Sequence, residues 1–390
     1  MTSWRALGAL PREIWWLAAV TLANRAGTMA LPFLILYLTN RMGLAPERAG
    51  LLLAVYGVGS IVSAPIAGRL SDRLGPKRMM VGSLAISGAI LFCYPLVESF
   101  GALAALTLAW SLAADAFPPV SLALTSELAP SEQRKMAFAL NRLASNLGLS
   151  IGPAVGGLLA TVSFAWLFVV DGATSLAAAA LLALAPIRSR RAETPAPDHK
   201  LSSHALADPR LRLLLVGVFA VAVVYYQTMS TLPLHFSRNL GFTEATIGLL
   251  FAFSTLLIVL FEVPVNVRTA HWPHRRTFLL GGLLVGAGFG ATGLVASPLG
   301  VAATFAVWTA GELALFPAFS AFVADISPEA KRGEYMGLYL LAFNAAFAVG
   351  PWLGTQILAS AGPSALWTAC LAGGLVATAV LWLASRDSRG

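Results

Sequence analysis

Long apolar runs with almost no charge recur from one end of this chain to the other, and they restrict its fold more than any other feature. Hydrophobic residues make up 57% of the 390 residues and charged residues only 11%, whereas soluble domains carry about 25% charge. A membrane-spanning helix needs about 20 consecutive apolar residues. The sequence therefore predicts an all-α integral membrane protein and excludes a soluble enzyme with one buried core.

The apolar runs predict twelve transmembrane helices, numbered here as spans 1 to 12. They cover residues 13–39, 46–70, 79–97, 101–128, 137–160, 164–186, 211–237, 244–268, 277–297, 300–326, 335–358 and 363–385. The longest polar stretch, residues 187–210, follows span 6. We predict that it is a linker between an N-terminal six-helix half, residues 1–186, and a C-terminal half, residues 211–390. His199 and His204 lie in this stretch without a third ligand nearby, so they predict no metal site.

The distribution of basic residues predicts the orientation of the chain. With the N-terminus inside the cell, the external loops keep only Arg41, Arg48 and Arg238, and almost all other Lys and Arg residues are cytoplasmic. Basic residues concentrate in cytoplasmic loops. We therefore predict a multi-pass protein of the cell membrane with both termini in the cytoplasm. The net charge of +8 is explained in the same way, so no nucleic acid partner is expected.

The two halves resemble each other in sequence. A shift of 198 positions aligns Gly50 with Gly248, Asn146 with Asn344, and the pair Gly152-Pro153 with Gly350-Pro351. Two parallel six-helix repeats with a substrate site near the bilayer midplane are a transporter architecture. The sequence thus predicts two six-helix repeats around a central cavity.

The loop after span 2 and the middle of span 5 carry the most specific motifs. The loop contains Gly68, Arg69, Asp72, Arg73, Gly75, Lys77 and Arg78. One acid among basic residues at the membrane edge can bind a neighbouring helix end in one conformation and release it in another.

Span 5 contains Gly148, Gly152, Pro153, Gly156 and Gly157. Glycines four apart allow helices to pack closely, and proline bends a helix.

These motifs resemble a known transporter family. The loop resembles the signature loop of the major facilitator superfamily, with Pro76 where that family usually has a basic residue. The glycines of span 5 resemble the antiporter signature of the twelve-span drug:proton antiporter branch. The basic residue that the family carries in span 4 is missing, and Asp115 lies there instead. The resemblance implies alternating access of a substrate cavity lined by spans 1, 4, 7 and 10.

Charged residues at membrane depth are costly and mark functional sites. Arg25 in span 1, Asp115 in span 4 and Glu312 in span 10 lie near mid-span. Arginine stays protonated, so Arg25 requires an anionic neighbour, and we expect Asp115 first and Glu312 second. The predicted cavity residues are Asn24, Arg25, Asp115, Tyr225, Tyr226, Gln227 and Glu312.

The candidate proton carriers are Asp115, Glu312 and Glu262, because burial favours the neutral form of a carboxyl group. Each also has a purely structural interpretation, a static ion pair or a helix-end contact. Glu127 and Asp325 end spans 4 and 10 at equivalent positions and are expected to form cytoplasmic gate contacts. Asp171 is expected to make a packing hydrogen bond. Arg142, near the end of span 5, is expected to extend towards the membrane surface.

Several functions fit these features. The first is proton-coupled efflux of lipophilic or amphipathic molecules by a monomer in the bilayer. The second uses Arg25 as an anchor in a symporter or exchanger for an organic acid, a phosphate ester or a sugar. A third is a lipid or glycolipid flippase, and a fourth is a receptor or scaffold that does not transport. No catalytic motif, metal site or phosphate-binding glycine loop is recognised, so neither an enzyme nor a cofactor is expected.

Overall fold

A computed structural model describes residues 10–187, 205–328 and 331–386, and all regular elements in these ranges are helical. The predicted linker, residues 187–210, lies largely outside the described residues, and so do His199 and His204. In the part of the chain N-terminal to the linker the helices are α1 (Arg12–Gly27), α2 (Ala30–Leu36), α3 (Pro46–Leu74), α4 (Pro76–Cys93), α5 (Phe100–Ala114), α6 (Phe117–Leu128), α7 (Arg134–Val162) and α8 (Ala165–Leu184).

Six α-helices follow the linker in the described residues. They are α9 (Pro209–Tyr225), α10 (Thr231–Leu234), α11 (Glu244–Thr269), α12 (His274–Ala291), α13 (Pro298–Ile326) and α14 (Arg332–Ala384). Two π-helical turns of equal length, Tyr37–Arg41 and His235–Asn239, extend α2 and α10. Spans 1, 4 and 7 of the prediction each correspond to two consecutive helices.

The described residues contain 11 helices that are long and apolar enough to cross a membrane, rather than the predicted twelve. The difference arises in α14, which has 53 residues and includes both span 11 and span 12. Gly362 within it has φ 82° and ψ 177°. A side chain is strained at such a positive φ, whereas glycine adopts it without a steric penalty. The twelve-helix count remains a prediction that depends on treating the stretches on either side of Gly362 separately.

Three spans are interrupted near their middle, whereas the sequence predicted each of them as a single span. Span 1 is interrupted between Gly27 and Ala30, span 4 between Ala114 and Phe117, and span 7 between Tyr225 and Thr231. A proline lies within the first three residues of each helix that follows. Because proline has no N–H, it fits the first turn of a helix and disfavours the helix before it. The interruptions free backbone groups at membrane depth, and these need partners.

The contacts divide the chain into two compact units, each of which includes one segment from the other half of the sequence. The first unit is Met1–Met42, Val55–Ala196 and Thr243–Thr255; the second is Gly43–Ala54, Pro197–Phe242 and Leu256–Gly390. In the first unit, a Cβ atom on Gly157 would lie 3.0 Å from Gly248 Cα. In the second unit, Gly50 packs against Thr355 in the same way. These two contacts are related by the same shift of 198 positions.

The core of the first unit is formed by apolar side chains of α1, α4, α6 and α8. Leu17, Met80, Phe117 and Leu182 are almost fully buried in one cluster. Large apolar side chains are also exposed on the surface, such as Val263 at 69% and Leu184 at 84%. Exposed apolar side chains on long helices are the surface that a bilayer requires.

Candidate functional site

The first unit contains a basic cavity of about 340 Å³. It is lined by Thr21, Arg25, Phe117, Pro118, Ser121, Leu122, Phe138, Asn141, Arg142, Ser145 and Asn146. Two guanidinium groups, two amides and three hydroxyls therefore face one space, and none of the described residues that line it is an acid. Guanidinium groups that line a cavity can bind an anionic or strongly polar ligand.

The glycines of α7 place Arg25 at this cavity. A Cβ atom on Gly148 would lie 2.6 Å from Arg25 Cβ, one on Gly152 would lie 2.7 Å from the Thr28 carbonyl oxygen, and one on Gly156 would lie 2.7 Å from Met29 Cβ. The glycine face predicted for span 5 therefore packs on the interruption of span 1. Pro153 lies inside α7 without ending it. Gly157 faces a different helix, α11.

Two carboxylates share the electrostatic neighbourhood of Arg25. Asp115 interacts with Arg25 but takes its side-chain hydrogen bonds from Ser60 and Tyr56. Asp171 also interacts with Arg25. The Arg25 Nε atom is buried and has no hydrogen-bond partner among the described residues. The predicted pair of Arg25 and Asp115 therefore consists of neighbours that attract each other, while the side-chain hydrogen bonds of Asp115 are made with Ser60 and Tyr56.

Asp171 is an anionic neighbour of Arg25, although the sequence predicted only a packing hydrogen bond for it. Its Oδ2 atom accepts hydrogen bonds from Met29 N at 3.2 Å and Ala30 N at 3.1 Å, and the residue is 5% exposed. These N–H groups are unpaired at the start of α2, and a carboxylate is the strongest common acceptor for them. The packing hydrogen bond expected for Asp171 thus stabilises the interruption of span 1 beside Arg25.

Arg142 and Asn24 lie differently from their predicted positions. Arg142 lines the basic cavity with Arg25, rather than only extending towards the membrane surface. The sequence did contain a signal, because Asn141, Arg142 and Ser145 form a polar stripe at helical spacing. Asn24 donates from Nδ2 to Ser175 Oγ at 3.5 Å, so it contacts α8 and is not among the cavity-lining residues.

The second unit holds a carboxyl group in an aromatic cluster. Tyr225 makes a side-chain hydrogen bond to Glu312 of α13. The Tyr225 ring lies 5.1 Å from Phe316 and 6.1 Å from Trp308, measured between ring centroids. Tyr226 adds a ring stacked on Phe347 at 4.5 Å. A carboxyl group among aromatic rings can bind a proton, or a cation whose remaining surface is apolar.

Gln227 has a structural role in this unit. It is 2% exposed, and its Nε2 atom donates to the carbonyl oxygens of Val223 and Gly350, each at 2.9 Å. Its Oε1 atom accepts from Thr231 Oγ1 at 2.7 Å. The side chain therefore satisfies backbone groups where span 7 is interrupted. It also lines an apolar cavity of about 290 Å³ with Val223.

The residues predicted as the signature loop lie mostly in helices: Gly68 to Arg73 are at the end of α3, and Lys77 and Arg78 are at the start of α4. Gly75 has φ 88°, as only glycine does without strain. Lys77 Nζ donates to the carbonyl oxygens of Ala183 at 3.0 Å and Ala185 at 2.7 Å, so it caps the end of α8. Lysine favours this position because the C-terminal carbonyls of a helix carry partial negative charge. A Cβ atom on Gly68 would meet nothing within 4 Å, so no helix packs closely there. The remaining loop residues, Arg69, Asp72, Arg73 and Arg78, have exposed side chains.

The other predicted gate and proton-coupling residues lie outside both candidate sites. The Asp325 carboxylate contacts His274 Nε2 at 2.8 Å, a partner that the sequence did not predict. Glu127 is exposed at the end of α6, and Glu262 is half-buried in α11. Among the described residues no group of three or more His, Cys, Asp or Glu side chains could hold a metal ion.

These features define a class of protein: a multi-pass helical membrane protein with charged groups held at membrane depth. Comparison with known sequences then identifies the family. The sequence profile of the Major Facilitator Superfamily matches residues 17–239 and 214–390. The chain belongs to this family of transporters, and its relatives and structural neighbours are transporters rather than enzymes.

Individual relatives are distant. The uncharacterized MFS-type transporter YhjO of Bacillus subtilis (strain 168) is 26% identical over 354 residues, which cover 89% of this chain and 86% of the relative. The quinolone resistance protein NorA of Staphylococcus aureus is 24% identical over 198 residues, covering 51% of this chain and 50% of NorA.

Two solved structures share the fold. A POT family transporter in complex with 5-aminolevulinic acid has a TM-score of 0.79 at 16% identity, over 96% of this chain and 95% of the other. The nucleoside transporter NupG has a TM-score of 0.80 at 13% identity, over 96% and 98%.

Proposed function

We propose that this protein is a proton-coupled secondary transporter that exports lipophilic or amphipathic small molecules from the cell. The observation that carries the proposal is the Glu312 carboxyl group, hydrogen-bonded to Tyr225 inside an aromatic cluster. The protein acts as a monomer in the cell membrane, with both termini in the cytoplasm. Its partners are the small-molecule substrate, protons and the surrounding lipid.

Glu312 can exchange a proton for a substrate. The deprotonated carboxylate accepts the hydrogen bond of the Tyr225 hydroxyl and attracts a cation, while the aromatic rings bind the apolar part of the molecule. A proton added to a carboxylate oxygen removes the negative charge, so that an electrostatically bound cation dissociates. Competition of this kind between proton and substrate is what an antiporter requires. Asp115 is the second candidate, with Tyr56 and Ser60 as its partners.

The direction of transport is supported by a distant relative. The name of NorA records resistance to quinolones, and NorA resembles about half of this chain. The span 5 glycines resemble an antiporter signature, and in this structure they pack on the interruption beside Arg25. The similarity to NorA and the similarity of the span 5 glycines to the antiporter signature both support export of amphipathic compounds.

A second substrate class is favoured by the basic cavity. Arg25 and Arg142 line it without an acid among the described lining residues, and guanidinium groups bind carboxylates and phosphates with paired hydrogen bonds. An organic anion, or an amphipathic molecule with an anionic group, fits this cavity. A symporter or exchanger for such anions is the alternative function.

The experiment that tests the proposal uses the purified protein in liposomes with an imposed proton gradient. A panel of lipophilic cations and organic anions is first screened for thermal stabilisation at an acidic and a neutral pH. Stabilisation by cations that weakens at acidic pH supports exchange at Glu312, and Glu312→Gln abolishes this pH dependence. Stabilisation only by anions, lost in Arg25→Gln and kept in Glu312→Gln, would contradict efflux of cations and support the alternative.

A further inference from the structure

A second basic cavity lies in the second unit, apart from the membrane-depth residues. It has a volume of about 950 Å³. It is lined by Pro273, His274, Arg275, Arg276, Leu279, Phe322, Trp382, Ser385 and Arg386. The start of α12 and the end of α14 form most of its wall, and the predicted orientation places both at the cytoplasmic side of the membrane. Its residues Arg275 and Arg276 are equivalent to Lys77 and Arg78 of the signature loop by the shift of 198 positions.

Two of its arginines share one tryptophan. The guanidinium carbon of Arg275 lies 3.9 Å from the centroid of the Trp382 ring, and that of Arg386 lies 4.2 Å from it. Arg276 similarly lies 4.1 Å over Trp272. Stacking on an indole holds a guanidinium group in place through its face. The N–H donors at the edge of that plane are not used by the stacking, and they can bind a ligand.

The equivalent position in the first unit shows that this arrangement differs from an ordinary basic loop. Lys77 corresponds to Arg275 by the shift of 198 positions, and its ammonium group caps the end of α8. Lys77 is thus occupied by a helix end. Arg275 instead lies beside a large cavity whose described lining residues include no acid. His274 is paired with Asp325, so that acid is also occupied.

We propose that this cavity binds the phosphate-bearing headgroup of an anionic phospholipid from the cytoplasmic leaflet. Guanidinium forks match phosphate oxygens, and basic pockets between membrane helices on the cytoplasmic side bind such headgroups. The first turn of α12 adds backbone N–H groups of the kind that attract anions.

The surroundings of the cavity favour a lipid over a soluble phosphate compound. Trp382 lies at the end of a membrane helix, where tryptophan is common at the interface. Leu279 on the cavity wall is 38% exposed, and Leu383 beside Trp382 is 42% exposed. These side chains offer an apolar surface for acyl chains next to the arginines. The proposal depends on the predicted orientation and not on the transport reaction.

The test measures lipid binding to the full-length protein by native mass spectrometry in detergent. Phosphatidylglycerol and phosphatidylcholine with identical acyl chains are the probes, and sn-glycerol 3-phosphate is the soluble competitor. The wild-type protein is expected to retain one phosphatidylglycerol in preference to phosphatidylcholine. The affinity should fall about fivefold for each arginine changed in Arg275→Gln, Arg276→Gln and Arg386→Gln. Arg212→Gln, an exposed arginine of the same unit, is the matched control and should bind like wild type.

Three outcomes would overturn the proposal. One is equal retention of the two lipids by the wild-type protein. Another is unchanged binding of phosphatidylglycerol to the triple arginine variant, with its fold verified by an unchanged thermal unfolding profile. The third is displacement of the lipid by millimolar glycerol 3-phosphate, which would assign the cavity to a soluble phosphate compound. Trp382→Phe separates stacking from charge: it keeps an aromatic ring and is expected to weaken binding less than Arg275→Gln does.

Discussion

The basic cavity of the first unit and the aromatic cluster of the second unit arise from related sequence and have different chemistry. The backbone positions correspond: Gly152 packs on the interruption of span 1, and its counterpart Gly350 accepts a hydrogen bond from Gln227 at the interruption of span 7. The side chains do not correspond. The positions equivalent to Arg25 and Arg142 are occupied by Val223 and Leu340. The corresponding glycines thus lie in similar surroundings in the two units, while the side chains of the two sites differ in charge.

This difference indicates a division of roles. The first unit presents fixed positive charge, because guanidinium groups do not lose their protons under physiological conditions. The second unit presents a carboxyl group, which can change its charge. The proposed function therefore assigns proton exchange to Glu312 of the second unit, with Asp115 of the first unit as the second candidate, and recognition of an anionic group to the first unit. Each prediction below tests one part of this comparison.

The largest expected effect concerns the scaffold. Gly148→Ala places a Cβ atom 2.6 Å from Arg25 Cβ and 2.8 Å from Ala26 N, and overpacking of this kind costs about 1–3 kcal/mol. Gly68→Ala is the matched control, because its Cβ atom meets nothing within 4 Å. Thermal unfolding in detergent should show a clear loss of stability for Gly148→Ala alone. Equal stability of the two variants would mean that the packing of α7 on span 1 is not tight.

The next effect concerns the two carboxylates near Arg25. Asp171→Asn weakens two hydrogen bonds from backbone N–H groups and removes one negative charge beside Arg25, and we expect a loss of about 2 kcal/mol. Asp115→Asn should cost less than Asp171→Asn, and less than the ~3–5 kcal/mol of a buried charge left alone, because Asp171 remains. Adding Arg25→Gln to either variant should restore part of the stability. Urea unfolding monitored by tryptophan fluorescence measures the differences; greater damage from Asp115→Asn would reverse the assignment.

A smaller effect separates the equivalent basic residues of the two units. Lys77→Met removes the donor that binds the Ala183 and Ala185 carbonyl oxygens, and should cost about 1 kcal/mol. Arg275→Met removes a stacked guanidinium group and no helix cap, so the detergent-solubilised protein should lose less. Thermal unfolding curves of Lys77→Met and Arg275→Met measure the loss of stability in each variant. A greater loss for Arg275→Met would show that its stacking on Trp382 is mainly structural.

The smallest effect on stability is expected at Asp72. Its side chain is exposed, so Asp72→Asn should leave unfolding and substrate affinity unchanged. A contact formed in only one conformation changes populations when it is lost, so the transport rate should fall. If Asp72→Asn transports at the wild-type rate, the signature loop contributes only to the orientation of the chain in the membrane.

The sequence predicted the class of fold because membrane helices are encoded in local composition. The spanning helices and the glycine face of span 5 followed from local patterns, whereas the roles of Arg25, Asp115 and Glu312 stay predictions. The contacts between residues far apart in the sequence could not be predicted from such patterns. The contact of Asp171 with the start of α2 and the place of Arg142 in the cavity depend on which helices are neighbours. The hydrogen bonds of Gln227 to backbone groups were not predicted either, because they depend on the interruption of span 7.

The most direct test of the division of roles is proton release on substrate binding, measured with a pH-sensitive dye in weakly buffered detergent solution. The probe is a lipophilic cation that stabilises the wild-type protein. The wild-type protein and Arg25→Gln should both release protons when the cation binds. Glu312→Gln, whose neutral amide resembles the protonated carboxyl group, should bind the cation more weakly than the wild-type protein and release no protons, and its affinity should not change with pH. Proton release that persists in Glu312→Gln and disappears in Asp115→Asn would contradict the account and place proton exchange in the first unit.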